Sequence, residues 1–356
     1  MFIRNCWYVA AWSNEIAESS LFARTICGVP VVFWRDESGT VQALVDRCCH
    51  RGAPLSCGRR EANGVRCMYH GFKFDRSGRC VEIPGQDRIP AAAFVRSFAV
   101  IERHRWVWIW MGNPEHAEPS IIPDTHWLDD PGWTCTPPGY IRYEANYRLL
   151  NDNLLDFSHL SFVHPSTLGG SEEYAQLRSK VDRRERSLHI TRWFMDRPPA
   201  PFVRTLVGHA GNVDRWNNYE FFIPGVLVMD SGFAPAGSGA EKGDRSQAIE
   251  FRHCQAVTPE TDGTTHYFFS QPRRFEPDNQ DVTRLLHESI LSAFEEDRVI
   301  ITAQEKNLKR FDDFRMLPCS LDAAPTQFRW MLDQAIRAES RESLPDEVHL
   351  DANRGH

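Results

Sequence analysis

Cys48-Cys49-His50 and Cys67-Met68-Tyr69-His70, separated by the sixteen residues Arg51 to Arg66, decide how the rest of the chain is read. As potential ligands they spell C-x-H and then C-x2-H. A structural zinc ion also accepts two cysteines and two histidines, but zinc fingers usually group the cysteines first and the histidines after them. Here each short pair mixes the two types. That pattern suits a pair of metals, one held by both thiolates and the other by both imidazoles, with each pair bridging between them.

This is the ligand set of a Rieske [2Fe–2S] centre, in which histidines replace the cysteines on one iron and raise the reduction potential. Cys48 and Cys67 are assigned to one iron, His50 and His70 to the other. The surrounding loops are rich in glycine, which lets backbone N–H groups approach the cluster sulfurs and tune the potential. Cys49 and Cys57 are read as non-ligands. A chain with this centre handles electrons.

At 356 residues there is room for about two domains. Hydrophobic residues at 42 % and charged residues at 25 % describe a soluble globular protein. A net charge of −7 without a basic stripe argues against nucleic acid as a partner. No apolar run approaches the ~20 residues of a membrane span, and the apolar stretch before Trp12 is too short for a signal peptide. Ten scattered cysteines, two of them claimed by iron, point to a reducing compartment, the cytoplasm.

From Cys27 to about Ile109 short apolar runs alternate with turns. Val31–Trp34 and Ala43–Val45 flank Glu37-Ser38-Gly39. Phe72–Phe74 and Val81–Ile83 flank Arg76-Ser77-Gly78, and Val107–Trp110 closes an all-β unit. Gly112 to Pro123 reads as the linker to a second domain. The expected division is an all-β Rieske domain over residues 1–118, a catalytic domain over 119–340, and a polar, disordered tail over 341–356.

The second unit opens with Asn151-Asp152-Asn153-Leu154-Leu155-Asp156-Phe157-Ser158-His159-Leu160-Ser161-Phe162-Val163-His164-Pro165. Asp156 and His159, three apart, are expected on one helix face. His159 and His164 would point about 140° apart in a regular helix, at about 100° per residue, so the helix must bend or end. Pro165 biases His164 away from the α region and places it at a frayed end. Asp281–Arg310 reads as one long helix with a stripe through Leu286, Ile290, Ala293 or Phe294, Ile300 or Ile301, and Leu308. Asp297 falls in that stripe, where a carboxylate is costly unless paired or metal-bound. His159, His164 and Asp297 then form the 2-His-1-carboxylate set of non-haem Fe(II) oxygenases.

With both metal motifs in view, the chain resembles the oxygenase components of Rieske non-haem iron oxygenases, in the group of the vanillate and dicamba O-demethylases. Asn5-Cys6-Trp7-Tyr8-Val9-Ala10-Ala11, His50-Arg51-Gly52-Ala53-Pro54-Leu55-Ser56, Tyr69-His70-Gly71, Asp152–Asp156, Val257-Thr258-Pro259-Glu260 and Glu296-Asp297 carry the likeness, from about residue 2 to about residue 336. Cys49 departs from it, standing where the family usually has proline.

The resemblance implies an α+β protein: the Rieske domain, then a curved antiparallel sheet covered by helices. It implies a head-to-tail homotrimer in which Asp156 bridges His159 and His70 of the next subunit, with Asn153 supporting the iron site. It also implies one [2Fe–2S] cluster, one mononuclear Fe(II), and NADH electrons arriving through a separate reductase, with or without a ferredoxin. The reaction would be hydroxylation or oxidative demethylation of a small aromatic by O2. N-demethylation and ring or methyl hydroxylation remain alternatives, as does a Rieske electron carrier without oxygenase activity.

Ile249, Phe251, His253, Gln255 and Val257 alternate onto one strand face, polar among apolar, as a pocket wall does. Asp262-Gly263 turns the chain into Thr265–Phe269. Tyr219–Met229 and Pro198–Phe202 are expected to complete the cavity. Arg204, His253 and Gln255 are the candidate partners for an aromatic acid.

Overall fold

The computed structural model describes residues 1–165, 167–168, 173–199, 203–204, 211–311 and 313–342. The expected disordered tail lies outside the described residues from 343 onward.

Ten short strands build the N-terminal part: β1 (Trp7–Trp12), β2 (Phe22–Ile26), β3 (Val29–Arg35), β4 (Val41–Val45), β5 (Arg59–Glu61), β6 (Gly64–Arg66), β7 (Lys73–Phe74), β8 (Cys80–Glu82), β9 (Val100–Arg103) and β10 (Trp106–Trp110). They pair antiparallel as β1-β10-β9, β2-β3-β4 and β5-β6-β7-β8. The two expected turns share one design. Asp36 accepts from the N–H groups of Ser38 and Thr40, and Asp75 accepts from those of Ser77 and Arg79. Each turn closes on a glycine in the left-handed region, Gly39 at φ 82° and Gly78 at φ 86°. The strand expected at Val81–Ile83 starts one residue earlier, at Cys80.

The second part carries β11 (Thr134–Cys135), β12 (Gly139–Tyr143), β13 (Lys180–Arg183), β14 (Ser187–Arg197), β15 (Val213–Phe222), β16 (Val226–Pro235), β17 (Ile249–Thr261), β18 (Thr264–Ser270) and β19 (Pro272–Arg273). Among the described residues they form one nine-stranded antiparallel sheet. Helices cover it: α1 (Tyr147–Leu155), the single turn α2 (Leu160–Val163), α3 (Gln280–Arg310) and α4 (Ala323–Glu342). Asn279 starts α3 by accepting from the N–H groups of Asp281 and Val282, an ordinary N-cap. The apolar stripe of α3 then packs on the sheet, with the Phe294 ring 5.1 Å from Tyr267 and 4.7 Å from Phe269. On α4, Phe328 meets Phe221 edge-on at 4.8 Å.

The segment expected to be a linker is packed structure. Glu118 accepts from the Trp7 indole N–H at 3.0 Å through its main-chain oxygen, and Ile122 is buried. Around it Trp7, Trp12, Trp106 and Trp108 share a hydrophobic cluster with Val226, Ala256 and Phe268 of the large sheet. A second cluster also runs from Tyr8 and Val107 into Tyr143 and Leu150. Burying a large side chain contributes roughly 1.5–3 kcal/mol, so the two parts stabilise one another through apolar area. Directional contacts fix their registry. The Thr258 hydroxyl donates to the Val9 carbonyl at 2.8 Å, and the N–H groups of Cys27 and Gly28 donate to the carbonyls of Pro259 and Glu260, both at 2.8 Å. Glu339 on α4 receives the N–H groups of Arg4 and Asn5 at 2.7 and 2.5 Å.

Thr258→Val keeps the side-chain shape and removes a buried donor, a loss of about 1–2 kcal/mol. Calorimetry of the holoenzyme should show a lower midpoint and still a single transition. Two separated transitions would show that the parts unfold independently.

Candidate functional site

The cluster loops are built to a common plan. The Cys48 N–H donates to Ala53 at 2.8 Å while the Cys48 carbonyl accepts from Gly52 at 3.0 Å. The Cys67 N–H donates to Phe72 at 2.8 Å while the Cys67 carbonyl accepts from Gly71 at 2.9 Å. Both closures run from a cysteine to a glycine four residues on, and the glycines adopt φ of 73° and 78°. A Cβ on Gly71 would lie 2.6 Å from the Pro84 ring. The histidine is third in one loop and fourth in the other, which explains why C-x-H and C-x2-H serve the same geometry.

Both thiols are buried, and His50 and His70 are exposed with their rings 4.6 Å apart. His50 also stacks on Phe72 at 4.7 Å. Burial pushes the Cys48 thiol up to about 12, so it gives up its proton to a metal rather than to solvent. Cys49 and Cys57 are exposed.

The mononuclear site differs from expectation at Asp156. Helix α1 ends at Leu155, and Asp156 is extended at φ −120°, ψ 98°, so it shares no helix face with His159. Its carboxylate accepts from the N–H and the hydroxyl of Ser158, each at 2.9 Å, capping the tight turn Phe157–His159. The contact to the imidazole comes from the main chain: the Asp156 carbonyl lies 2.5 Å from His159 Nδ1. That bond fixes the tautomer and turns Nε2 toward the centre.

His164 lies just past α2 at φ −118°, ψ 46°, outside the helical region as Pro165 requires. Its Nδ1 is 2.6 Å from Glu296 Oε2, which also accepts from Thr167 at 3.1 Å. Sequence reasoning placed Glu296 off the apolar stripe of α3 and within the Glu296-Asp297 likeness, but assigned it no contact with His164; its adjacency to Asp297 was the available signal. Asp297 Oδ1 lies 3.2 Å from His164 Nε2 and 3.5 Å from His159 Nε2. Asn153, on α1, donates to the same oxygen at 2.9 Å.

One ligand atom from each of His159, His164 and Asp297 lies within 4.8 Å of the others. His164 Nε2 is buried, and the polar atom facing it is Asp297 Oδ1 at 3.2 Å, outside hydrogen-bond geometry. Burial, the largest influence, holds the His159 pKa below its usual value. For His164 burial acts the same way, but the Asp297 and Glu296 carboxylates outweigh it and raise the pKa. Two imidazole nitrogens and a buried carboxylate converging on one point fit a divalent metal.

The triad forms one wall of a cavity of about 230 Å³, otherwise lined largely by apolar side chains such as Leu160, Met229, Phe251 and Ile290. His253 lines it and hydrogen-bonds Ser231 at 2.8 Å. Burial, reinforced by Arg215 and Arg252, pushes its pKa down to about 3, so it is a neutral partner and not a cation. Gln255 lines the cavity too, but its carbonyl oxygen accepts from the Tyr267 hydroxyl at 2.8 Å. Arg204 is exposed and does not line the cavity. The lining arginine is Arg215, buried on β15. Its place in the alternation Val213, Arg215, Asn217, Tyr219 was the signal for it. Of the Pro198–Phe202 segment, residues 200–202 lie outside the described residues.

A thiolate–imidazole cluster in one domain and an open 2-His-1-carboxylate centre in the next define a Rieske-type, oxygen-using oxidoreductase. Comparison with known proteins agrees. Residues 6–99 match the Rieske [2Fe-2S] domain, and residues 143–338 match the Vanillate O-demethylase oxygenase C-terminal domain. The chain is 47 % identical to the toluene-4-sulfonate monooxygenase system iron-sulfur subunit TsaM1 of Comamonas testosteroni, over 97 % of this chain and 100 % of the relative. It is 34 % identical to the vanillate O-demethylase oxygenase subunit of Pseudomonas sp. (strain HR199 / DSM 7063), over 95 % and 96 %. Dicamba monooxygenase bound to 3,6-dichlorosalicylic acid superposes with a TM-score of 0.88 at 32 % identity, covering 95 % of this chain and 99 % of that one.

The chain belongs to the vanillate O-demethylase oxygenase family of Rieske non-haem iron oxygenases. It is an oxygenase component, and its cofactors are a [2Fe–2S] cluster and a mononuclear iron. A bare electron carrier would lack the second domain. Among the described residues no helix is long and apolar enough to cross a membrane.

His159→Ala and Asp297→Ala should each lose the mononuclear iron and turnover while keeping the visible absorption of the cluster. Cys67→Ser should lose that absorption. Iron and acid-labile sulfide analysis of the purified variants checks both. Iron retained at full stoichiometry in Asp297→Ala would point to Glu296 as the carboxylate ligand.

Proposed function

We propose that the chain is the terminal oxygenase of a system in which a separate NADH-dependent reductase, with or without a ferredoxin, supplies two electrons. The substrate is a small aromatic acid, and the carbon oxidised is that of a methoxyl or methyl substituent. One observation carries this reading: the apolar cavity, sized for a single substituted ring, opens directly onto His159, His164 and Asp297. The names of the relatives add support, since toluene-4-sulfonate and vanillate are both anionic arenes bearing such a carbon.

The bound iron supplies the means to bind and reduce O2. In balance, substrate, O2, two electrons and two protons give hydroxylated product and water. A hydroxylated methyl ether collapses to a phenol and formaldehyde; a hydroxylated ring methyl is a stable alcohol. The chain's own residues set the conditions. Asp297 and the two imidazoles would hold the metal, beside the cavity that all three line. Asn153 and Glu296 fix the orientation of Asp297 and His164 through hydrogen bonds. The side chains of Leu160, Phe251 and Ile290 exclude water and seat the ring.

The same reading takes the assembly to be a head-to-tail homotrimer, in which His70 of one subunit approaches Asp156 of the next. Exposure of His50 and His70 supports it, because the histidine edge of the cluster faces outward. Asp156 supports it too: its carbonyl holds His159 while its carboxylate lies beside it on the Ser158 cap.

Product analysis of the purified protein with NADH, a surrogate reductase and a panel of methoxylated, methylated and N-methylated aromatic acids tests the reaction. A phenol with formaldehyde, or a benzylic alcohol, is expected; NADH consumption without any oxygenated product would overturn it. Asp156→Asn should keep both metals, since asparagine still caps the turn, yet slow reoxidation of the reduced cluster by orders of magnitude in stopped-flow traces with substrate and oxygen. Unchanged reoxidation would remove Asp156 from the electron route.

A further inference from the structure

His70 lies on an open surface, where its ring meets those of Tyr69 at 4.1 Å and His50 at 4.6 Å. Solvent does not fix an imidazole, so the position of His70 depends on the loop that carries it. Main-chain bonds from Cys67 to Gly71 and Phe72 close that loop from inside. Arg66, the residue before Cys67, closes it from outside.

The Arg66 guanidinium reaches across the ligand pair, and Nη1 donates to the Gly71 carbonyl at 2.7 Å. Gly71 is thereby caught at both ends, because its N–H already donates to the Cys67 carbonyl. Nε and Nη2 donate to Glu61 at 2.6 and 3.1 Å, and Nη1 and Nη2 donate to Glu82 at 2.9 and 2.6 Å. Five contacts match the five N–H groups of the planar fork. Glu61 on β5 and Glu82 on β8 sit on the two outer strands of the four-stranded sheet. Arg59 and Lys73 hold Glu61 in turn, at 2.9 and 3.2 Å. A charge kept only for solubility would extend into water, yet the Arg66 side chain is 13 % exposed.

The first loop repeats the device with the opposite charge. Asp46, two residues before Cys48, accepts from the Ser56 N–H at 2.7 Å and the Ser56 hydroxyl at 2.5 Å. In each loop a charged side chain ahead of the cysteine crosses to a residue beyond the histidine. We propose that Arg66 and Asp46 are positioning residues for the cluster, each clasping its loop across a ligand pair, and that the Arg66 clasp on His70 sets the reduction potential. The inference rests on reading Cys48, His50, Cys67 and His70 as the ligands. A fixed loop keeps backbone N–H groups aimed at the cluster sulfurs, and such bonds favour the reduced, more negative state. The Arg66 charge favours that state as well, so charge and position must be separated. Lysine keeps the charge but offers three donors on one nitrogen and cannot span both carboxylates and the carbonyl.

Redox titration of the holoprotein, with electron paramagnetic resonance of the reduced cluster, makes the separation. Arg66→Lys should lower the equilibrium constant for cluster reduction on the order of tenfold, about 59 mV for a one-electron couple. It should also broaden the resonance lines, because an unclasped loop samples several positions. Arg66→Gln, which loses the charge too, should fall lower still. Glu82→Asp withdraws one acceptor by a methylene at constant charge and should give a smaller shift in the same direction, even where the Arg66 variants fail to hold a cluster. Ser56→Ala, also neutral, should do the same through the first loop. Arg66→Lys with wild-type potential and line widths, beside a shifted Arg66→Gln, would show that Arg66 acts as a charge alone and overturn the clasp. Unchanged potential and line shape in Glu82→Asp and Ser56→Ala would overturn it as well. Wild-type protein that holds iron without acid-labile sulfide would overturn the ligand reading, and the clasp with it.

Discussion

A carboxylate sunk into the core side of a long helix governs this molecule. Asp297 meets two imidazoles and one amide, and a buried charge of this kind costs several kcal/mol without a counter-charge. A divalent cation supplies that counter-charge. The surrounding elements are arranged to serve it. Helix α1 stops at Leu155, a capped turn presents His159, and a second short turn ends at His164. Helix α3 is held against the sheet by the Phe294 contacts one turn before Asp297. Each device is local, yet none has a purpose apart from the point where three ligand atoms meet.

The division into two functional halves is not a division of the core. Tryptophans of the first part and aromatic and aliphatic residues of the second occupy the same clusters. Polar contacts add a fixed registry where Val9, Cys27 and Gly28 meet Thr258, Pro259 and Glu260. Packed area sets how strongly the parts adhere; these hydrogen bonds set where they adhere.

Much of this was legible in the sequence where chemistry restricts spacing. The cysteine–histidine pairs could be read because metal ligation limits how far apart bridging ligands sit. His164 could be read because proline acts on the residue before it, and α3 because its apolar stripe persists over many turns. Asp156 escaped because its main chain and side chain found local partners, and such bonds compete with continuation of a helix. Glu296 escaped because a residue beside the apolar stripe looks solvent-facing until its neighbour, here His164, is known. Arg204 was named as a candidate and Arg215 was not, because nothing in the sequence alone marks which side of the β15 alternation faces the cavity. The cavity lining shows Arg215, on β15, facing inward and Arg204 exposed outside it. The Gly112–Pro123 segment reads as a loose connection because proline and glycine mark turns; the tryptophans that it packs against are distant in the chain.

Strand β17 carries two assignments in sequence order. Its Phe251, His253 and Gln255 wall the cavity, while Thr258, Pro259 and Glu260 grip the Rieske domain. The first group acts through side chains, and the second acts largely through main-chain carbonyls that almost any residue provides. Substrate preference is therefore a matter of side-chain identity on one half of a strand whose other half holds the joint through two main-chain carbonyls and one buried hydroxyl. Selection or engineering is free to rewrite the cavity wall without disturbing the joint that holds the electron donor in place.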